Sequence, residues 1–225
     1  MENDKLAEVG ERFKRDVQEH ALTIVRDDGL YRHLRFKRPD TMTCYFDLVT
    51  WPGHLAYVGD MGDYVFTRVE DMLTFFRGHE PNPSYWSEKC VAVDKHGAIE
   101  EFCEETFEAA VEEELQEHIE AYYASPDDPE DEPAREREAR EAAIQELRDA
   151  VTEDVFPRLG DDRDGQSAII AAMQVEDAGG RQPFATIYEH GFSEFTYRFL
   201  WCCHALPWAI AQYDAAKAAA GGGET

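Results

Sequence analysis

Three observations predict an α+β fold: an N-terminal antiparallel β-meander packed on helices, with an acidic helical middle segment. Apolar and polar side chains alternate with a period of two between residues 22 and 68. Turn-forming residues punctuate that stretch, and beyond Gly97 the period lengthens to 3.6.

The elements follow in order. Leu6, Val9, Phe13 and Val17 recur at steps of three and four, so residues 3–20 read as one amphipathic helix. Strands are expected over 22–26, 30–38, 42–51, 54–58 and 64–68. They are separated by Asp28-Gly29, Pro39-Asp40, Trp51-Pro52-Gly53 and the 59–63 loop, where glycine supplies positive φ and proline presets the turn. Alternation places Leu34 and Phe36 on one face of the second strand and Tyr31, His33, Arg35 and Lys37 on the other. In the third strand Met42, Cys44, Phe46 and Leu48 oppose Tyr45, Asp47 and Val49. A short helix over 69–76 offers Met72, Leu73 and Phe76 to the core, and 82–86 reads as a loop or single turn.

From 98 to 123, Ile99, Phe102, Cys103, Phe107, Val111, Leu115, Ile119 and Tyr122 form one helical stripe, leaving the glutamates outside. A Pro- and acid-rich linker over 125–133 leads into a mixed-charge helix over 135–151, with Ala143, Ile144 and Leu147 as its stripe and Glu136–Arg140 as an i,i+4 pair. A loop at 160–165, a short helix through Ile169, Ile170 and Met173, and a strand over 184–188 come next. A last helix is capped by Ser193, with Phe195, Phe199, Cys203, Leu206 and Ile210 buried. The expected organisation is 1–97 (helix plus meander), 98–160 (acidic helical segment) and 161–225 (C-terminal helices packing back on the meander). No internal repeat is present.

The chain has 225 residues, 43% of them hydrophobic and 12% aromatic, enough to close a core in one large or two small domains. Its 48 acidic and 22 basic side chains give a net charge of -26, which repels phosphate backbones and anionic lipid. Direct nucleic-acid binding and membrane docking are therefore not expected. Six lysines against sixteen arginines fit a GC-rich genome or a salt-tolerant host, but such a bias does not account for where the charge sits. Residues 1–100 sum to -5 and 101–225 to -21, with -14 inside 101–132, where no Lys or Arg occurs. Five cysteines, an odd number with two adjacent, point to a reducing intracellular compartment and not to a disulfide framework. The charged N-terminus lacks an apolar signal region, and the apolar stretch 199–211 is too short to span a bilayer and carries His204 and Pro207. A soluble protein is expected.

The sequence lacks H-E-x-x-H, a glycine-rich phosphate loop, G-x-S-x-G and C-x-x-C. The Asp161, Asp162, Asp164, Gly165 cluster fails as a calcium loop, because aligning Gly165 with the required glycine puts Ala171 where a bidentate Glu is needed. Cys202, Cys203 and His204 point about 100° apart on a helix and cannot together chelate one ion. No metal or cofactor is expected. The strongest enzyme-like grouping is His33, Arg35, Asp47, His54, Asp60 and Asp63, which tight-turn geometry explains better than a catalytic site does.

The acid block carries more information. Glu101, Glu105, Glu108 and Glu112 lie along one expected helical stripe, with rises of about 4.5 to 6 Å between carboxylates. Phosphates along a nucleic-acid strand rise by about 3.4 Å per step around a winding backbone, so such a stripe suits a basic channel made for DNA or RNA. Glu113, Glu117, Asp127 and Asp128 extend the candidate partner-binding set. A solvated helix face is the commoner origin of a charge run. Arg35, Lys37 and Arg38 are candidates to pair with part of the acid helix.

The segment HLRFKRPDTMTCYFDLVTWPGHLAYVGDMGDYVFTRVEDMLTFF, residues 33–76, resembles a family of accessory proteins encoded by bacteriophages and prophages. The closing RFLWCCHALPWAIAQYD, residues 198–214, is similar to the same family's C-terminal helix, and the acidic middle has no counterpart there. The resemblance implies a phage gene product in the host bacterial cytoplasm. In that setting the acid stripe leads to the expectation of a stoichiometric inhibitor of a bacterial defence system, anti-CRISPR or anti-restriction. Its partner would be a host nuclease or CRISPR effector, and a homodimer is compatible with the sequence. The alternatives are a virion or assembly accessory protein with a merely solubilising surface, and a phage enzyme with a site around His33, His54 and Asp63.

Overall fold

The computed structural model describes residues 2–95, 97–125 and 132–221. The fold is α+β, with an N-terminal antiparallel sheet followed by helices. It divides into two units: residues 1–100 with 195–225, and residues 101–194. Residues 161–194 thus fall in the second unit beside 101–160, and only 195–225 return to the meander.

In the first unit, α1 (Glu2–Asp16) precedes five strands, β1 (Ala21–Asp28), β2 (Tyr31–Lys37), β3 (Phe46–Trp51), β4 (His54–Gly59) and β5 (Gly62–Thr67). Two short helices, α2 (Met72–Phe76) and α3 (Pro83–Ser87), lead to β6 (Cys90–Val93). The six strands pair in sequence order, all antiparallel. Register Leu34↔Leu48 and Phe36↔Phe46 puts the expected apolar set on one face. Met42 and Tyr45 lie in a turn before β3, where Cys44 takes a left-handed φ of 56°, so the third strand is shorter than its alternation suggests and Met42 is exposed.

That apolar face packs against α1 and α7 (Tyr197–Gly221). Trp201 is the hub, with its ring edge-on to Phe13 (4.9 Å) and Phe46 (5.7 Å) and its Nε1 donating to Asp16 (3.1 Å). Helix α7 is capped by Thr196 and not by Ser193. The Thr196 Oγ1 accepts from the Phe199 N–H, and Ser193–Phe195 is extended as β8. Phe195 is half-buried, whereas Phe199, Cys203, Leu206 and Ile210 are fully enclosed. No helix among the described residues is long and apolar enough to cross a membrane.

The second unit opens with β7 (Glu100–Phe102), paired to β8, and α4 (Glu104–Tyr122). Helix α5 (Ala134–Ala150) ends in a π turn over Val151–Val155, and α6 (Gln166–Met173) follows. The expected strand over 184–188 is instead turns and a short 3₁₀ stretch, Ile187–Glu189. Phe107, Val111 and Leu115 of α4 close a second core with Leu147, Val151, Val155, Ala172, Phe184, Ile187 and Phe192. Arg140 makes its two-pronged contact with Glu132 (3.0 and 3.1 Å) and not with the expected Glu136.

Candidate functional site

Helix α4 begins at Glu104 because Cys103 is still extended (φ -101°, ψ 99°) and its N–H donates to the Phe192 carbonyl across the β7–β8 ribbon. Glu101 therefore sits on a strand and does not belong to the helical stripe. Sequence periodicity runs through this boundary because Ile99, Phe102 and Cys103 happen to keep the helical spacing. What remains on α4 is the row Glu105, Glu108 and Glu112, with Glu113 and Glu117 on the adjoining face. Glu105, Glu112, Glu113 and Glu117 are exposed and Glu108 is half-buried. Among the described residues none of these five has an ion-pair partner. Asp127 and Asp128 lie outside the described residues.

The acid has little local justification. Glu104 and Glu105 complement the positive end of the helix dipole, but glutamates continue to Glu117 and Glu120 near the negative end. Glu104–Glu108, Glu108–Glu112 and Glu113–Glu117 are like-charge i,i+4 neighbours, each destabilising by roughly 0.2–0.5 kcal/mol. The helix is held by its buried stripe in spite of its charge. The whole unit, residues 101–194, carries 28 acidic and seven basic side chains, which is -21 of the net -26.

Beside Glu113 and Glu117 lies a cleft of about 540 Å³, walled by α4 and the 183–190 segment, that also takes in Glu114, His118, Tyr122, Thr186 and His190. On one side of it Asp177 accepts from His118 Nε2 (3.0 Å), Arg181 Nε (2.6 Å) and the N–H groups of Gly179 and Arg181, with both His118 and Asp177 buried. Burial opposes the Asp177 charge, but these donors outweigh it and hold the carboxyl well below the usual range. The Arg181 guanidinium lies over the Tyr122 ring at 4.3 Å. Opposite, Glu114 pairs with His190 (3.0 Å), and its other oxygen, Oε2, is buried without a partner. Burial pushes the Glu114 carboxyl up in spite of His190, and Glu117 and Glu113 add to the shift. Sequence reasoning missed this grouping. Its one signal was His118, a polar residue at the buried position that follows Val111 and Leu115.

The enzyme-like grouping in the meander assembles only in part, with His33, Arg35 and Asp47 together and His54, Asp60 and Asp63 elsewhere. Asp47, on the outer face of the sheet, accepts from Arg35 Nε and Nη2 (2.9 and 2.8 Å) and from His33 Nε2 (2.8 Å). His54 stacks on Trp51 (5.0 Å) with Nδ1 against the Pro52 carbonyl. Asp60 accepts from the Cys44 N–H and Asp63 from the Gly59 N–H, both closing turns. His54 faces Thr67 across the hairpin and Asp63 faces Val58, so they lie four strand positions apart, about 13 Å. Arg35, Lys37 and Arg38, expected as partners of the acid helix, are engaged by Asp47, the Pro39 carbonyl and Glu19, all within the first unit.

Cys202 and Cys203 are fully buried, and burial raises both thiols far above their ordinary value. His204 bonds the Leu6 carbonyl (3.0 Å), and burial lowers its pKa. Among the described residues no three His, Cys, Asp or Glu side chains converge as metal ligands. No family model, curated protein or solved structure matches the chain.

Proposed function

We propose that the protein is a phage-encoded, stoichiometric inhibitor of a bacterial defence enzyme, working in the host cytoplasm, and that its second unit occupies a basic channel built for nucleic acid. The observation that carries this reading is the segregation of charge: -21 in one unit, with five glutamates that have no ion-pair partner among the described residues, on a helix that they weaken. A purely solubilising surface has no need to concentrate acid in one block with no basic residue over 101–132. Along α4 the rises from Glu105 to Glu108 and from Glu108 to Glu112 are about 4.5 and 6 Å. The partner is a CRISPR effector or a restriction nuclease, and association is fast at low salt and slowed by screening.

The test is phage plating on hosts with and without a CRISPR or restriction system. The hosts express wild type or a variant with Glu105, Glu108, Glu112, Glu113 and Glu117 all changed to Gln. Wild type is expected to raise plating on the defended host, and the variant to lose at least tenfold of that gain. Protection that survives the substitutions overturns the mimicry. No protection by wild type against any system tested overturns the inhibitor reading, and capture of phage structural proteins instead of a nuclease points to an assembly role.

A further inference from the structure

Helix α4 is joined to the segment that follows α6 by two histidine–carboxylate contacts of opposite character. His118–Asp177 is sealed, with side chains 7% and 0% exposed, and its carboxylate is further fixed by Arg181 and two backbone N–H groups. His190–Glu114 spans the same two segments in the reverse sense, with the histidine on the 183–190 segment and the carboxylate on the helix. Here the histidine is 53% exposed and Glu114 16%. Between the two lies the cleft lined by Glu113, Glu114, Glu117, Tyr122 and Thr186.

We propose that His190–Glu114 is a pH-releasable latch across this cleft and that His118–Asp177 is its fixed hinge. Histidine is the side chain that changes charge between about pH 5 and 8, and an accessible imidazole exchanges its proton freely with water. When protonated, His190 meets a field of one sign from α4, namely Glu114 with Glu113 and Glu117 beside it. Glu189 is its neighbour in sequence, and Arg181, the cation of this cluster among the described residues, is held by Asp177 and the tyrosine rings. Losing the proton removes the attraction and leaves a neutral hydrogen bond to a carboxylate that already has one buried oxygen without a donor. The latch then opens more often, and the covered Glu114 becomes more accessible. His190 also stacks on Phe192 (5.9 Å), which packs on Phe107, so the segment stays tethered beyond the latch. This inference concerns access to the cleft and stands whether or not the acid helix binds a nuclease.

Amide hydrogen exchange of residues 183–192 in the full chain, corrected for intrinsic rates, tests it at pH 6 and pH 8. The expected result is several-fold weaker protection at pH 8 in wild type and no pH dependence in His190→Gln, which keeps a hydrogen-bonding side chain but cannot titrate. Glu114→Gln should flatten the response in the same way, which gives a second route if the His190 variant folds poorly. Equal wild-type protection at the two pH values overturns the latch. So does a pH dependence that persists in His190→Gln or Glu114→Gln, or one abolished only by His118→Gln.

Discussion

Asp47 is a carboxylate near the middle of an antiparallel sheet, 8% exposed, with Arg35 and His33 as its donors. Burial alone would raise its pKa, but the side-chain hydrogen bonds of Arg35 and His33 win, so it titrates below the ordinary value. A depressed folded-state pKa means stability that is present above the unfolded value of about 3.9 and is lost as pH falls through the folded one. Asp47→Asn should lower urea stability at pH 7 by about 1–3 kcal/mol, toward the low end because Arg35 is partly solvated, and should shrink the loss between pH 5 and 2. Asp177→Asn acts with the same sign and more strongly, since that side chain is sealed. Glu114 has the opposite sign, its raised pKa favouring the folded state at acid pH and withdrawing that support as the carboxyl ionises. The Asp47 cluster was legible from the sequence because cross-strand alternation puts Arg35 and Asp47 on one face. His118 and Asp177 are 59 positions apart on unrelated elements, and no local pattern announces such a pair.

At the level of elements, the strands with alternating sequence, β1 to β5, and the long helices followed from periodicity. The elements without it did not. β6 is four residues, Cys-Val-Ala-Val, with no polar face, so nothing in its pattern separates strand from coil. Residues 184–188 have strand-like composition, but there the chain turns into a 3₁₀ stretch that buries Phe184 and Ile187 in the second core. The start of α7 depends on one hydroxyl, so Thr196→Ala should cost about 1 kcal/mol by thermal or urea unfolding. Gly165, which opens α6, combines φ of +67° with the Phe102 ring filling the space of a Cβ. Gly165→Ala should therefore destabilise by at least about 1–2 kcal/mol, and near-ultraviolet circular dichroism of the second unit should report it.

For the molecule as a whole, the buried residues form two separate clusters, one in each unit. The acid block over 101–132 lies in one unit, and the stretches 33–76 and 198–214 both lie in the other. Replacing residues 101–194 by a short glycine-serine link should leave a folded protein of net charge -5 with the strand signature of the meander, because the chain leaves and returns through adjacent strands, β7 and β8. An excised product that is unfolded by circular dichroism would count against this. The boundary was not visible in the sequence, because 161–194 has neither the acid density of α4 nor any mark of which core it serves. The hub residue Trp201 carries a consequence for biosynthesis. The ribosome completes all six strands and the entire second unit before it makes the helix that covers the sheet. For the time needed to synthesise some hundred residues, Phe36, Phe46, Tyr57 and Phe66 have no α7 to pack against. Nascent chains arrested before residue 197 should therefore be captured by a chaperone, and chains released after residue 214 should escape it.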